Sequence, residues 1–270
     1  CRCFSTAARE YISGQTALVG AAENGHENVV QMLLDRGALI EAATIYGLTA
    51  LMVAALNGRE RAVQVLLDCG AQIEAPSKQG RTALLLAAYN GHGKIVQMLL
   101  EHGAQIEAAK DDGSTALMSA AWNGRETARE SRRRTTMAGR HCFGRRAMDR
   151  RGRAGGAASR GKEKVVKVLL DRGARIDAAN NGGWTALFWA ACNGYEEVAQ
   201  VLLDRGARIE PTNKKGETAL DIAREHEIWN VVQILEKRRP PQQSKLYCAP
   251  TFTTTEPDWE TRFEKACSRL

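Results

Sequence analysis

Residues 80–108 read GRTALLLAAYNGHGKIVQMLLEHGAQIEA, and this stretch decides the fold. Thr82-Ala-Leu-x-x-Ala-Ala predicts a short helix that stops at Asn90-Gly91. Val96, Leu99 and Leu100 then recur at helical spacing and predict a second helix, which stops at Gly103. The unit is a helical hairpin. The same text begins at Gly14, Gly47, Gly80 and Gly113, 33 residues apart each time; it resumes at Gly161, and Gly183 and Gly216 are again 33 apart.

Within each unit the residue types serve the hairpin. The leading Thr, at 16, 49, 82, 115, 185 and 218, is placed to cap its helix by accepting a hydrogen bond from an orphan N–H. Gly25, Gly58, Gly91, Gly124 and Gly194 close the first helix; Gly37, Gly70, Gly103, Gly173 and Gly206 close the second, where a left-handed turn is cheap. One unit cannot cover its own apolar stripe, so neighbours must stack, and pairs such as Ala54-Ala55 allow first helices to approach closely.

A 33-residue period with these features at constant offsets resembles the ankyrin-repeat family over residues 14–237, with 127–160 excepted. The resemblance implies an all-α solenoid of helix-turn-helix repeats joined by short hairpin-like loops. It departs in one respect: the family's Thr-Pro-Leu-His opening is here Thr-Ala-Leu followed by Val19, Met52, Leu85, Met118 or Phe188, so apolar packing stands in for histidine hydrogen bonding. The final unit, 216–237, carries Asp221, Arg224, Glu225 and His226 and reads as a polar C-terminal cap. Residues 1–13 lack such a cap, with Glu10 to Ser13 in a loop position, and read as a truncated loop preceded by further repeats.

The organisation expected is therefore units one to four over 14–126, the fourth incomplete; an interruption at 127–160; resumed units over 161–237; and a linker or tail at 238–270. The interruption holds eleven Arg against Glu130 and Asp149, a charge of +9 in a chain of net +7, so the rest of the protein sums to −2. Taken at face value such a segment is too poor in apolar residues to order itself and reads as a disordered arm that contacts nucleic acid. A second reading competes. When Thr135–Asp149 is back-translated and shifted to the third base of the first codon, it permits Asn-Asn-Gly-Trp-Thr-Ala-Leu-Phe-Trp-Ala-Ala-Cys-Asn-Gly, nearly the text of 181–194. A frameshift or a misplaced exon boundary explains that agreement and removes most of the motive for a nucleic-acid arm.

Nothing in the chain suggests catalysis. The five His are scattered, and no nucleophile elbow, phosphate loop or zinc-protease motif is present. The seven Cys are odd in number and form no C-x-x-C pair, so reduced thiols and no metal or cofactor are expected; Cys1-Arg2-Cys3 lacks a second half. His26 and His92, just after the first helix, read as packing or capping groups. No window offers the roughly 18 apolar residues of a membrane span, and no secretory leader is evident, so an intracellular protein is expected, cytoplasmic with the nucleus also open.

Ankyrin repeats, as the resemblance implies, hold a partner protein on the loop tips and the exposed side of the first helices. Here those positions are Tyr46, Leu48 and Leu56 in unit two, Arg81 and Tyr89 in unit three, Asp112 and Trp122 at unit four, and Trp184 and Trp189 in the next. Leu56, Tyr89 and Trp122 share one offset and would form a stripe along a concave face, aromatic residues being frequent interface anchors. The competing reading is that these side chains cover neighbouring helices. The function expected is a non-catalytic scaffold for another protein, with no small-molecule substrate. The alternatives are a recruiting module of a larger enzyme or channel, and nucleic-acid contact through 127–160.

Overall fold

The computed structural model describes residues 16–122 and 162–238. The segment 127–160, Gly124, the first 13 residues and the tail beyond Arg238 lie outside the described residues, and with them the readings made of those stretches. Helices come in pairs: α1 (Ala17–Asn24) with α2 (Glu27–Asp35), α3 (Ala50–Leu56) with α4 (Glu60–Asp68), and α5 (Ala83–Asn90) with α6 (Gly93–Glu101). Then come α7 (Ala116–Ala121), a helix α8 over 162–171, the pair α9 (Ala186–Asn193) and α10 (Glu196–Asp204), and the pair α11 (Ala219–Glu225) and α12 (Trp229–Arg238).

The capping threonines act locally as expected at four sites. Thr16, Thr49, Thr82 and Thr218 accept hydrogen bonds from the N–H of Val19, Met52, Leu85 and Asp221. Thr115 and Thr185 hold the same extended backbone without that bond. In the last unit Asp221 returns the favour to the Thr218 N–H at 2.9 Å, a reciprocal capping box that gives its polar side chain a structural role.

First helices stack on first helices and second on second. The Ala pairs at 54–55, 87–88, 120–121 and 190–191 are fully buried between them, which is why nothing larger than a methyl group stands there. Leu66, Leu99, Leu169, Leu202 and Leu235 fill the layer between the two rows, each 0% exposed. At the first described unit the stacking face lies open: Val29 is 44% exposed, whereas the residues at its offset, Ala62, Ile95, Val165, Val198 and Val231, are all 0%.

Loops between units are hairpins, closed by bonds such as Ser77 N–H to Arg81 O and Asn180 N–H to Trp184 O. Three of the tips reach back to the one before: Lys78 N–H bonds Tyr46 O, Asn181 N–H bonds Asp112 O, and Lys214 N–H bonds Gly182 O. Gly47 sits at φ +74° with an added Cβ only 2.9 Å from the Lys78 nitrogen, so both conformation and this contact require glycine there.

The array runs continuously past the interruption. Helix α9 packs on α7, as α7 packs on α5. Helix α8 lies next to α6: Val165 Cγ2 and Lys164 Cβ are the atoms facing Gly93, and Arg172 pairs with Glu101 at 3.4 Å. The loop bond that ties Gln72 N–H to Glu41 and Gln105 N–H to Glu74 recurs between Arg175 N–H and Glu107. Residues 113–122 and 162–182 thus combine as one unit. Gly183 lies 70 residues after Gly113, one 33-residue period plus 37.

Candidate protein-binding surface

The first-helix side of the array carries a connected chain of rings. Tyr89, at the end of α5, meets Trp122, at the end of α7, with centroids 5.3 Å apart; Trp122 meets Trp189 of α9 edge-on at 5.9 Å. Trp189 in turn lies 4.6 Å from Trp184, which touches Phe188 at 5.6 Å. Tyr89 and Trp122 share an offset, so unit stacking brings them together. Trp189 comes from a different offset and turn, and its place beside Trp122 is a product of the stacking geometry.

All four outer rings are half-buried, whereas Phe188 is 1% exposed and belongs to the core. Each outer ring therefore covers a neighbour and presents an edge to solvent. Leu48 and Leu56 are half-buried and pack on the core, and the Leu56 carbonyl accepts from Asn90 at 2.7 Å and from the His92 ring at 3.1 Å. His92 stands at the start of α6 without capping it; like Arg59, whose Nε bonds Glu23 O at 2.9 Å, it ties its unit to the first helix of the unit before. Tyr46, 64% exposed, projects from the first hairpin tip.

Between units three and four the surface dips into a pocket of about 130 Å³ lined by Arg81, Leu85, Leu86, Tyr89, Lys110, Ser119 and Trp122. The Lys110 ammonium lies 5.6 Å from the Trp122 ring centre and 2.7 Å from Asp112. Burial pushes the Asp112 carboxyl up, but hydrogen bonds from Lys110 and Ser114 outweigh this and hold it below its ordinary value. Asp112 is thus engaged within its own hairpin. Among the described residues no carboxylate pairs with the Arg81 guanidinium. Beneath Tyr89 lies Lys162, 4% exposed, whose Nζ is 5.4 Å from the Tyr89 ring, 5.2 Å from the Tyr195 ring, and hydrogen-bonded to Trp122 O. Burial pushes its ammonium down to about 8.

Of the residues singled out from sequence, Arg81, Tyr89, Trp122, Trp184 and Trp189 come together along this side, while Tyr46, Leu48 and Leu56 lie outside the ring chain. Lys110, Ser119 and Lys162 were not foreseen. Lys110 and Ser119 could have been found by reading every unit at the offsets of the hairpin base and mid-helix; Lys162 had no signal, since its offset holds His26, Arg59, His92 and Tyr195 elsewhere.

A model of the family described as ankyrin repeats (3 copies) matches residues 3–77, 69–130 and 156–243. The chain belongs to the ankyrin-repeat family. Its array is similar to the crystal structure of an ankyrin repeat domain from Acinetobacter baumannii AYE, 28% identical, with a TM-score of 0.60 over 82% of this chain and 96% of that one. No curated protein matches it in sequence. Ankyrin repeats are generally protein–protein interaction modules and typically non-catalytic. Among the described residues of this ankyrin array, no helix is long and apolar enough to cross a membrane, and no group of three or more His, Cys, Asp or Glu could hold a metal ion.

Proposed function

We propose that this ankyrin array is a non-catalytic scaffold that holds another protein along its concave side, on the first helices and hairpin tips. One observation carries the reading. Tyr89, Trp122, Trp189 and Trp184 form a single chain of half-exposed rings on that side, while the positions that pack units together are filled by Ala and Leu. Large rings with exposed edges are what protein interfaces use as anchors, because they bury much area at small entropic cost. The partner is a protein met inside the cell, and the surface calls for no cofactor or small-molecule substrate.

The test uses the full chain as bait in cell extract, beside a Trp189→Ser variant shown by circular dichroism to be folded at the assay temperature and a Tyr46→Ser variant, whose exposed ring leaves melting unchanged. A bound protein lost from either variant supports the reading. Partners retained at wild-type level on both would place binding elsewhere.

A further inference from the structure

The pocket between units three and four differs from the rest of the ring-lined side in its charge. It has an apolar interior from Leu85, Leu86, Tyr89 and Trp122, and the side chains lining it include two cations and no carboxylate. One cation, Lys110, is neutralised by Asp112; the other, Arg81, has no acidic partner among the described residues. The pocket's volume of about 130 Å³ is close to that of a cavity that holds one benzene-sized group. An unpaired guanidinium beside a ring-sized apolar space selects a ligand that is apolar and anionic at adjoining positions, since an arginine fork binds a carboxylate in a planar, directional way.

Other occupants fit less well. A quaternary or methylated ammonium would need free aromatic faces, but Trp122 already has the Lys110 ammonium above it and Tyr89 has Lys162. A nucleic acid strand needs a run of unneutralised cations to follow its phosphates. Here Arg81 is the single one among the pocket's side chains, since Lys110 is paired with Asp112.

We infer that this pocket is the specificity subsite of the array and takes an acidic peptide segment of the partner: one Leu, Met or Phe side chain seated in the pocket against Leu85, Leu86 and the Tyr89–Trp122 ring pair, with an adjoining Asp or Glu on Arg81. This rests on the protein-scaffold reading and narrows it to a partner chemistry.

A random peptide-display library selected on the immobilised full chain tests it. The selected peptides carry Asp or Glu next to Leu, Met or Phe, and Arg81→Glu weakens a labelled selected peptide by at least about tenfold, while Arg81→Lys restores part of the affinity. Arg81 is half-exposed and its guanidinium bonds no described residue, so the Glu variant melts as the wild type does. Selected peptides without acidic residues, or binding indifferent to Arg81→Glu, overturn the subsite and leave the scaffold reading standing. So does a labelled oligonucleotide that binds through Arg81 while peptides do not. If neither peptides nor cellular proteins bind, the scaffold reading falls as well.

Discussion

Lys162 donates to the carbonyl of Trp122, joining two residues 40 positions apart at the two ends of the segment that interrupts unit four. Elsewhere in the array the residue at the offset of Lys162 follows the first helix after only one or two residues. Here the hydrogen bond joins the residue that follows α7 to the first described residue of α8 across the interruption.

Deletion of residues 125–161 follows from that geometry. It leaves Trp122-Asn123-Gly124-Lys162, restores 33 residues between Gly113 and Gly183, and shortens a long connection to an Asn-Gly turn. Loop-closure entropy favours the shorter chain by about 2–3 kcal/mol. The deletion variant is expected to keep its helical circular-dichroism spectrum and to melt at a higher temperature. Loss of the helical signal would show that unit four needs the segment.

Lys162 also sets a pH dependence. Its pKa falls from 10.5 unfolded to about 8 folded, because burial disfavours the cation. Below pH 8 both states carry the proton and the burial penalty is felt in full. As pH rises from 8 to 10.5 the folded state releases its proton first, so the unfolded state binds more protons and folding gains stability. Denaturant titrations of wild type and Lys162→Met at pH 7.0 and 9.5 are expected to show the wild type gaining about 2 kcal/mol on the variant. A difference that stays constant with pH would mean the ammonium is not desolvated.

Trp122 shares its ring contacts with Tyr89 and Trp189. Trp122→Ala is expected to cost about 2 kcal/mol, less than a fully buried ring because one edge is in solvent. A double-mutant cycle with Tyr89→Ala should return a coupling of about 0.5–1.5 kcal/mol, the range for aromatic pairs. Additive effects would show that the two rings touch without supporting each other.

The open first face makes one residue type behave in two ways. Val198→Ala, at a site 0% exposed, removes methyl groups from a closed layer and is expected to cost about 2 kcal/mol; Val29→Ala, at the same offset but 44% exposed, should cost less than about 0.5 kcal/mol. Urea midpoints of the two variants compare them directly.

Glu227 stands where Gly25, Gly58, Gly91 and Gly194 end the other first helices, and it holds the same left-handed backbone at φ +56°. A side chain with a Cβ is strained there, so Glu227→Gly is expected to stabilise the last unit by about 1 kcal/mol. A lower melting temperature in the variant would mean that the Glu side chain makes compensating contacts.

By itself the sequence determined the repeat: the 33-residue period, the capping Thr, the Gly stops and the small Ala pairs are local choices that recur, and each is dictated by helix geometry within a few residues. It also pointed to Tyr89, Trp122, Trp184 and Trp189, since large rings stand out at offsets that packing leaves free. What only the tertiary structure decided are the relations that cross units. Helix α8 was legible as text beginning at Gly161, but that it completes the unit opened by Gly113 depends on its docking against α6, which no local spacing records. Lys110 and Lys162 are ordinary lysines in the sequence. Stacking places one over Trp122 and the other beneath Tyr89, and the ion pair of Lys110 with Asp112 leaves Arg81 as the pocket's one cation without an acidic partner among the described residues.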